Sequence, residues 1–168
     1  EMALALNMRV LVADPNASVE DPRVAQVEQR ELLAQSDFVV CLAMATAETE
    51  NLMNEAAFAR MKRGAYFLNP SRGNLVDEAA LRAALDSGHL AGAALDVGRA
   101  PDQMPTPSLA AHPRVVATPH VGGLTPAATL HQAMDTVRQV AALAVERLPE
   151  NAVNAEAAHR LARLGIKT

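Results

Sequence analysis

Short apolar runs alternate with helix-length segments along most of this chain, and that rhythm is the strongest constraint on its fold. Residues 9–13, 38–42, 65–69, 91–97 and 115–118 are too short for helices, rich in Val, Leu, Ala and Phe, and bounded by turn residues. They read as buried strands. Residues 24–27 read as a further, shorter strand. Helical segments fall at 29–35, with Leu32 and Leu33 facing inward, and at 55–63, capped by Asn54 and stopped at Gly64. Another runs over 78–86, capped by Asp77 and ended by Ser87-Gly88. Thr125-Pro126 opens a long helix to residue 147, with Pro149 just past its end. The last stretch, 151–168, carries one more amphipathic helix, with Ala157, Leu161 and Leu164 at helical spacing. Strands alternating with helices of about ten residues imply a parallel sheet covered on both faces, an α/β fold. Residues 99–113 break the rhythm. Pro101, Pro105, Pro107 and Pro113 make this a long ordered loop, and such loops inside compact domains are usually functional.

Composition narrows the function classes. The 168 residues are 50% apolar and 20% charged, enough for one domain with a buried core. A formal charge of -4 without any basic block leaves no nucleic-acid footprint. No apolar run approaches the roughly 18 residues of a membrane span. The single cysteine, Cys41, excludes an intramolecular disulfide and a Cys-built zinc site, and within its strand it reads as packing. No metal is expected, and a cytoplasmic location is. The chain also opens inside a helix-like run, residues 1–6, with nothing ahead to cap it, as though an upstream part had been cut away.

In open parallel sheets the ligand sits at the carboxyl ends of the strands. The polar residues closing each strand therefore form one set: Asp14; Ala43 with Thr46; Asn69, Pro70, Ser71, Arg72 and Gly73; Asp96; and Thr118 through Gly122 and Gly123. An acid in the position of Asp14 suits the adenosine ribose hydroxyls of a dinucleotide and repels a 2′-phosphate, which favours NAD over NADP. A turn-forming Asp before Pro15 fits that position equally well. The planar fork of Arg72 suits a small carboxylate held by two parallel hydrogen bonds. His120, between Pro119 and Val121-Gly122-Gly123, suits a general base, because imidazole titrates near neutrality. The bland alternatives are a surface Arg in a turn and a His that only bonds backbone. His89, His112, His131 and His159 lack this setting and read as solvated or packing residues.

The blocks 68–81, 92–97 and 118–123 strongly resemble the D-isomer-specific 2-hydroxyacid dehydrogenases, in that family's order and spacing, over about residues 1–154. The first contains Leu68-Asn69-Pro70-Ser71-Arg72-Gly73 and Val76-Asp77-Glu78-Ala79-Ala80-Leu81; the others are Gly92-Ala93-Ala94-Leu95-Asp96-Val97 and Thr118-Pro119-His120-Val121-Gly122-Gly123. The resemblance implies a Rossmann-type doubly wound parallel sheet that binds NAD, beside a second, flavodoxin-like substrate domain. Residues 1–148 would form the NAD-binding domain and 149–168 a segment returning toward the substrate domain. Arg72 would hold the carboxylate of a small 2-hydroxy or 2-oxo acid and polarise its carbonyl. His120 would take the hydroxyl proton as hydride leaves C2. Asp14 would hold the adenosine ribose, while Ala43, Pro70, Ser71, Asp96, Gly122 and Gly123 would line the dinucleotide. A homodimer is the family's usual state.

Two departures from the family pattern matter. Its Gly-rich phosphate loop and first strand are missing. The resemblance puts that strand between the one ending at Asp14 and the one at Phe38, so the sheet is expected to be incomplete, with two edges facing a gap. The family's Glu partner for its histidine is replaced by Pro101, which cannot accept the imidazole N–H. Asp102 is the nearest substitute and Gln103 the next; the formate dehydrogenases of this superfamily use a glutamine. The alternatives are thus a formate- or phosphite-type dehydrogenase, or a non-catalytic NAD-binding regulatory module.

Overall fold

The computed structural model describes residues 1–150 together with Ala152, Ala155 and Gly165. The anticipated helix carrying Ala157, Leu161 and Leu164 lies outside the described residues. The chain divides into two compact units, Glu1–His120 and Val121–Thr168.

The first unit runs α1 (Met2–Ala5), β1 (Val10–Val12), β2 (Val24–Gln26), α2 (Gln29–Gln35), β3 (Phe38–Val40), α3 (Glu55–Arg60), β4 (Tyr66–Asn69), a 3-10 turn (Gly73–Leu75), α4 (Glu78–Asp86), β5 (Gly92–Leu95), α5 (Pro107–Ala110) and β6 (Val115–Ala117). All strand pairing is parallel. β1 pairs with β2, and β3-β4-β5-β6 form a separate sheet in sequence order. Among the described residues β1 pairs only with β2, and β3 only with β4.

Sequence order in the larger sheet explains which face is covered. Right-handed crossovers that all step the same way place their helices on one side of the sheet. The core accordingly gathers Leu33 from α2, Phe58 from α3, Leu81 and Leu85 from α4, and Val39, Phe67, Ala93 and Leu95 from the strands. Phe58 meets Phe67 edge-on, with ring centroids 5.2 Å apart. The parallel sheet flanked by helices is the expected α/β architecture, with its second face the less covered one among the described residues. Phe38, Val40, Tyr66 and Val116, which alternate with the buried strand residues, are about half exposed or more. Phe38 and Tyr66 stack on each other across β3 and β4 on that open side.

The anticipated caps form. The Asn54 side chain accepts from Ala57 N, and Asp77 accepts from Ala79 N and Ala80 N. α3 stops at Arg60 rather than at residue 63, because Met61 turns extended and is buried, pulling the chain out of the helix. The proline-rich loop hides α5, whose Pro107 occupies the first turn and whose Leu109 is buried. His112 is buried and ties that segment down: its Nδ1 accepts from Arg114 N, and its Nε2 meets Asp86 Oδ1 at 3.1 Å. That contact, followed by Arg82, holds the Asp86 carboxyl below its ordinary value of 3.8.

The second unit holds α6 (Pro126–Ala144), capped by Thr125, whose side chain accepts from Ala128 N. It ends three residues short of the anticipated boundary. Leu130, Met134 and Val137 form an exposed apolar stripe along it.

The loops leaving β4 and β5 cross at Gly73 and Gly98. A Cβ on Gly73 would lie 2.0 Å from Gly98 O, and one on Gly98 would lie 2.4 Å from Pro105 Cα. Gly73→Ala is expected to destabilise the fold by roughly 1–3 kcal/mol or more in chemical denaturation, since backbone rather than a flexible side chain must move. Asp86 contributes stability above its ordinary carboxyl range and loses it as pH falls through the lower folded value. Asp86→Asn is expected to flatten that acid limb in melting temperatures recorded across pH.

Candidate functional site

The carboxyl ends of β3 to β6 are joined by one chain of hydrogen bonds. After β3, Ala43 O accepts from Ser71 Oγ at 2.9 Å. After β4, the side chain of Asn69, only 1% exposed, donates from Nδ2 to Arg72 O at 2.8 Å and accepts at Oδ1 from Ser71 N at 3.1 Å. Its main-chain oxygen accepts from Asp96 N at 3.1 Å, just past β5. Asp96 Oδ1 in turn accepts from Thr118 Oγ1 at 2.5 Å, just past β6. Thr118 O then accepts from His120 N at 3.0 Å. A parallel sheet makes this possible because every strand delivers its next residues to the same edge.

Two candidate side chains stand on this frame. Arg72 is exposed; its Nη1 donates to Ser71 O at 2.7 Å, and among the described residues no carboxylate pairs with its guanidinium. His120 is half-buried with φ +54°, a left-handed conformation that is uncommon outside glycine and clusters at functional sites. Among the described residues its ring makes no hydrogen bond, only its backbone N, to Thr118 O.

Asp14 lies just past β1, in the other sheet. It is exposed, and its Oδ1 accepts from Asn16 N at 2.8 Å, closing a turn and leaving Oδ2 available. Gly122 and Gly123 belong to the second unit, in the turn that leads into α6, where Leu124 N donates to Val121 O. Cys41 is buried just past β3, where burial pushes its thiol up.

Among the described residues no hydrogen bond joins Asp102 or Gln103 to the imidazole. The loop after β5 closes on itself instead. Asp102 Oδ1 accepts from Met104 N at 3.1 Å, Gln103 N donates to Ala100 O, and Gly98 N donates to Gln103 O. Glu78 pins the same loop, accepting from Arg99 N and from Thr106 Oγ1. Arg99 reaches back to Val76 O, Asn74 O, Asn51 and Glu50, and this contact lowers the Glu50 carboxyl.

Sequence reasoning missed the roles of Asn69, Gly98 and Arg99. Asn69 carried a signal, a lone amide ending an otherwise apolar strand. Gly98 and Arg99 carried none that could be read without the loop's path. Among the described residues no helix is long and apolar enough to cross a membrane, and no group of three or more His, Cys, Asp or Glu could hold a metal ion.

The chemistry of this edge fits a dinucleotide and an acid. It offers backbone and small side chains along the strand ends, an imidazole, and a guanidinium that no carboxylate pairs among the described residues, while Asp14 in the smaller sheet offers an acceptor for ribose hydroxyls. Comparison with known proteins agrees. Residues 1–122 match the family model described as D-isomer specific 2-hydroxyacid dehydrogenase, NAD binding domain. A D-3-phosphoglycerate dehydrogenase of Bacillus subtilis is 38% identical over 143 residues, covering 83% of this chain and 27% of that protein. A glyoxylate/hydroxypyruvate reductase B of Citrobacter koseri is 39% identical over 130 residues, 76% of this chain and 39% of that protein. The crystal structure of D-lactate dehydrogenase with NAD+ from Lactobacillus jensenii superposes with a TM-score of 0.80 at 28% identity, over 89% of this chain and 49% of that one. The chain thus spans between about a quarter and a half of the length of these relatives. By sequence, fold and strand-edge chemistry, this chain belongs to the D-isomer-specific 2-hydroxyacid dehydrogenases, as their NAD-binding domain.

Proposed function

We propose that this chain supplies the cofactor side of an enzyme that moves hydride between a nicotinamide and C2 of a small D-2-hydroxy or 2-oxo acid. The observation that carries this reading is the hydrogen-bonded edge running from Ala43 to His120, with the Arg72 guanidinium free of any carboxylate among the described residues. Bound NAD would supply the hydride acceptor. Arg72 holds the substrate carboxylate through two charge-assisted bonds and draws electron density from the adjoining carbonyl. His120 accepts the C2 hydroxyl proton as hydride departs, and returns it in the reducing direction. Asp14 accepts from the adenosine ribose hydroxyls. Ala43, Pro70, Ser71, Asp96, Gly122 and Gly123 line the dinucleotide. Residues 1–148 act as the NAD-binding domain, 149–168 return toward the substrate domain, and the protein works as a cytoplasmic homodimer.

The closed loop after β5 favours an imidazole that works without Asp102, whose Oδ1 serves its own turn. It also keeps alive a second reading, a non-catalytic NAD-binding module. Steady-state assays of the intact protein with NADH and a panel of 2-oxo acids separate the two. Turnover of at least one acid is expected; NADH binding without any turnover would favour the module.

Arg72→Ala is expected to lower kcat/KM for the acid on the order of a hundredfold while NADH affinity stays nearly intact. Equal turnover in variant and parent would remove Arg72 from the site. Asp102→Asn, which keeps an acceptor for Met104 N, is expected to preserve the pH dependence of turnover. A collapse of the rate near neutral pH would restore Asp102 as the imidazole's partner.

A further inference from the structure

The loop that presents Asp14 has almost no packing of its own. Residues 14–18 are all exposed, and Asn16 N to Asp14 Oδ1 is its one internal hydrogen bond involving a side chain among the described residues. Its shape comes from one side chain on the neighbouring strand. Gln26 is the last residue of β2 and stands opposite Val12, the last residue of β1. From there its amide reaches over the end of β1. Nε2 donates to Asp14 O at 3.0 Å and to Ala17 O at 2.7 Å, while Oε1 accepts from Val19 N at 3.1 Å.

Both amide hydrogens and the amide oxygen are thereby used on three successive points of one loop. One of those points is the carbonyl of Asp14 itself. Pinning it fixes the direction in which the carboxylate leaves the backbone, and the Asn16 turn then holds Oδ1. The geometry points to Gln26 as a positioning residue for coenzyme selectivity: it touches no cofactor but aims the Asp14 carboxylate at the ribose. The inference rests on the reading of Asp14 as the ribose acceptor. A ribose diol donates two hydrogen bonds to a fixed carboxylate, whereas a 2′-phosphate meets the same fixed charge and is repelled. Freeing the loop weakens both effects, because a mobile carboxylate can swing away from a phosphate but must be re-ordered to receive a diol.

Gln26→Leu removes all three bonds at similar volume, and Gln26→Asn shortens the arm as a milder variant. Dissociation constants of the intact protein for NADH and NADPH, measured by calorimetry alongside melting temperatures, are the readout. NADH binding is expected to weaken roughly tenfold, the scale of one well-made hydrogen bond, while NADPH binding holds or tightens. Asp14→Ala is run in parallel and is expected to shift the same ratio. In the Asp14→Ala background Gln26→Leu is expected to add no further change in selectivity, the mark of a residue acting through the carboxylate. If Asp14→Ala shifts selectivity and Gln26→Leu does not, the role of Gln26 is overturned and the reading of Asp14 stands. Equal weakening of both coenzymes would likewise reduce Gln26 to a structural prop. No shift in Asp14→Ala would remove the ribose reading and the inference with it.

Discussion

The buried side-chain amide of Asn69 is the contact on which the site depends. Its two ends bind Ser71 N and Arg72 O, so the chain leaving β4 cannot unroll, and the guanidinium starts from a fixed backbone. Its own carbonyl takes Asp96 N, which couples the exits of β4 and β5. A buried amide left without those partners would carry a desolvation cost of about 1–3 kcal/mol, so the same bonds that shape the loop also keep Asn69 in the core. Thr118 extends the frame to β6 through Asp96, and Ser71 extends it to β3 through Ala43.

Close backbone packing does the rest. Gly73 and Gly98 let two strand-exit loops cross where no Cβ fits, and Arg99 and Glu78 lock the outer loop against the start of α4. The chemistry is thereby placed on a rigid edge, while Arg72 stays exposed and His120 half-buried. An exposed guanidinium that no carboxylate pairs among the described residues is open to an acid, and the left-handed backbone of His120 is a strain of the kind that clusters at functional sites. Asp14 follows a different plan, on a smaller sheet, in a loop held by polar bonds alone.

The strands, their parallel order and the caps at Asn54 and Asp77 were legible in the sequence, because apolar periodicity and capping chemistry are local signals. The residues closing β3 to β6 were legible as a set, because a parallel sheet sends all its exits to one edge, whereas Asp14 follows a strand of the smaller sheet. Other features depend on distant partners and were not. Met61 ends α3 early by turning into a core that local pattern does not reveal. Pro107 and Leu109 make a short helix in a stretch whose prolines suggested only loop. The partial exposure of Phe38, Val40 and Tyr66 follows from crossover handedness, not from composition, which shows apolar runs either way. Asp102 looked like a partner for His120 because it adjoins Pro101, where the family's glutamate would stand, yet among the described residues its Oδ1 accepts from Met104 N in a local turn instead.

The most direct test of the account is a crystal structure of the intact protein with NADH and an unreactive analogue of a 2-oxo acid. The analogue's carboxylate is expected on the Arg72 guanidinium, its C2 oxygen within hydrogen-bond distance of the His120 ring, and Asp14 on the adenosine ribose. An analogue bound elsewhere, with Arg72 still turned onto Ser71 O and His120 untouched, would contradict that expectation.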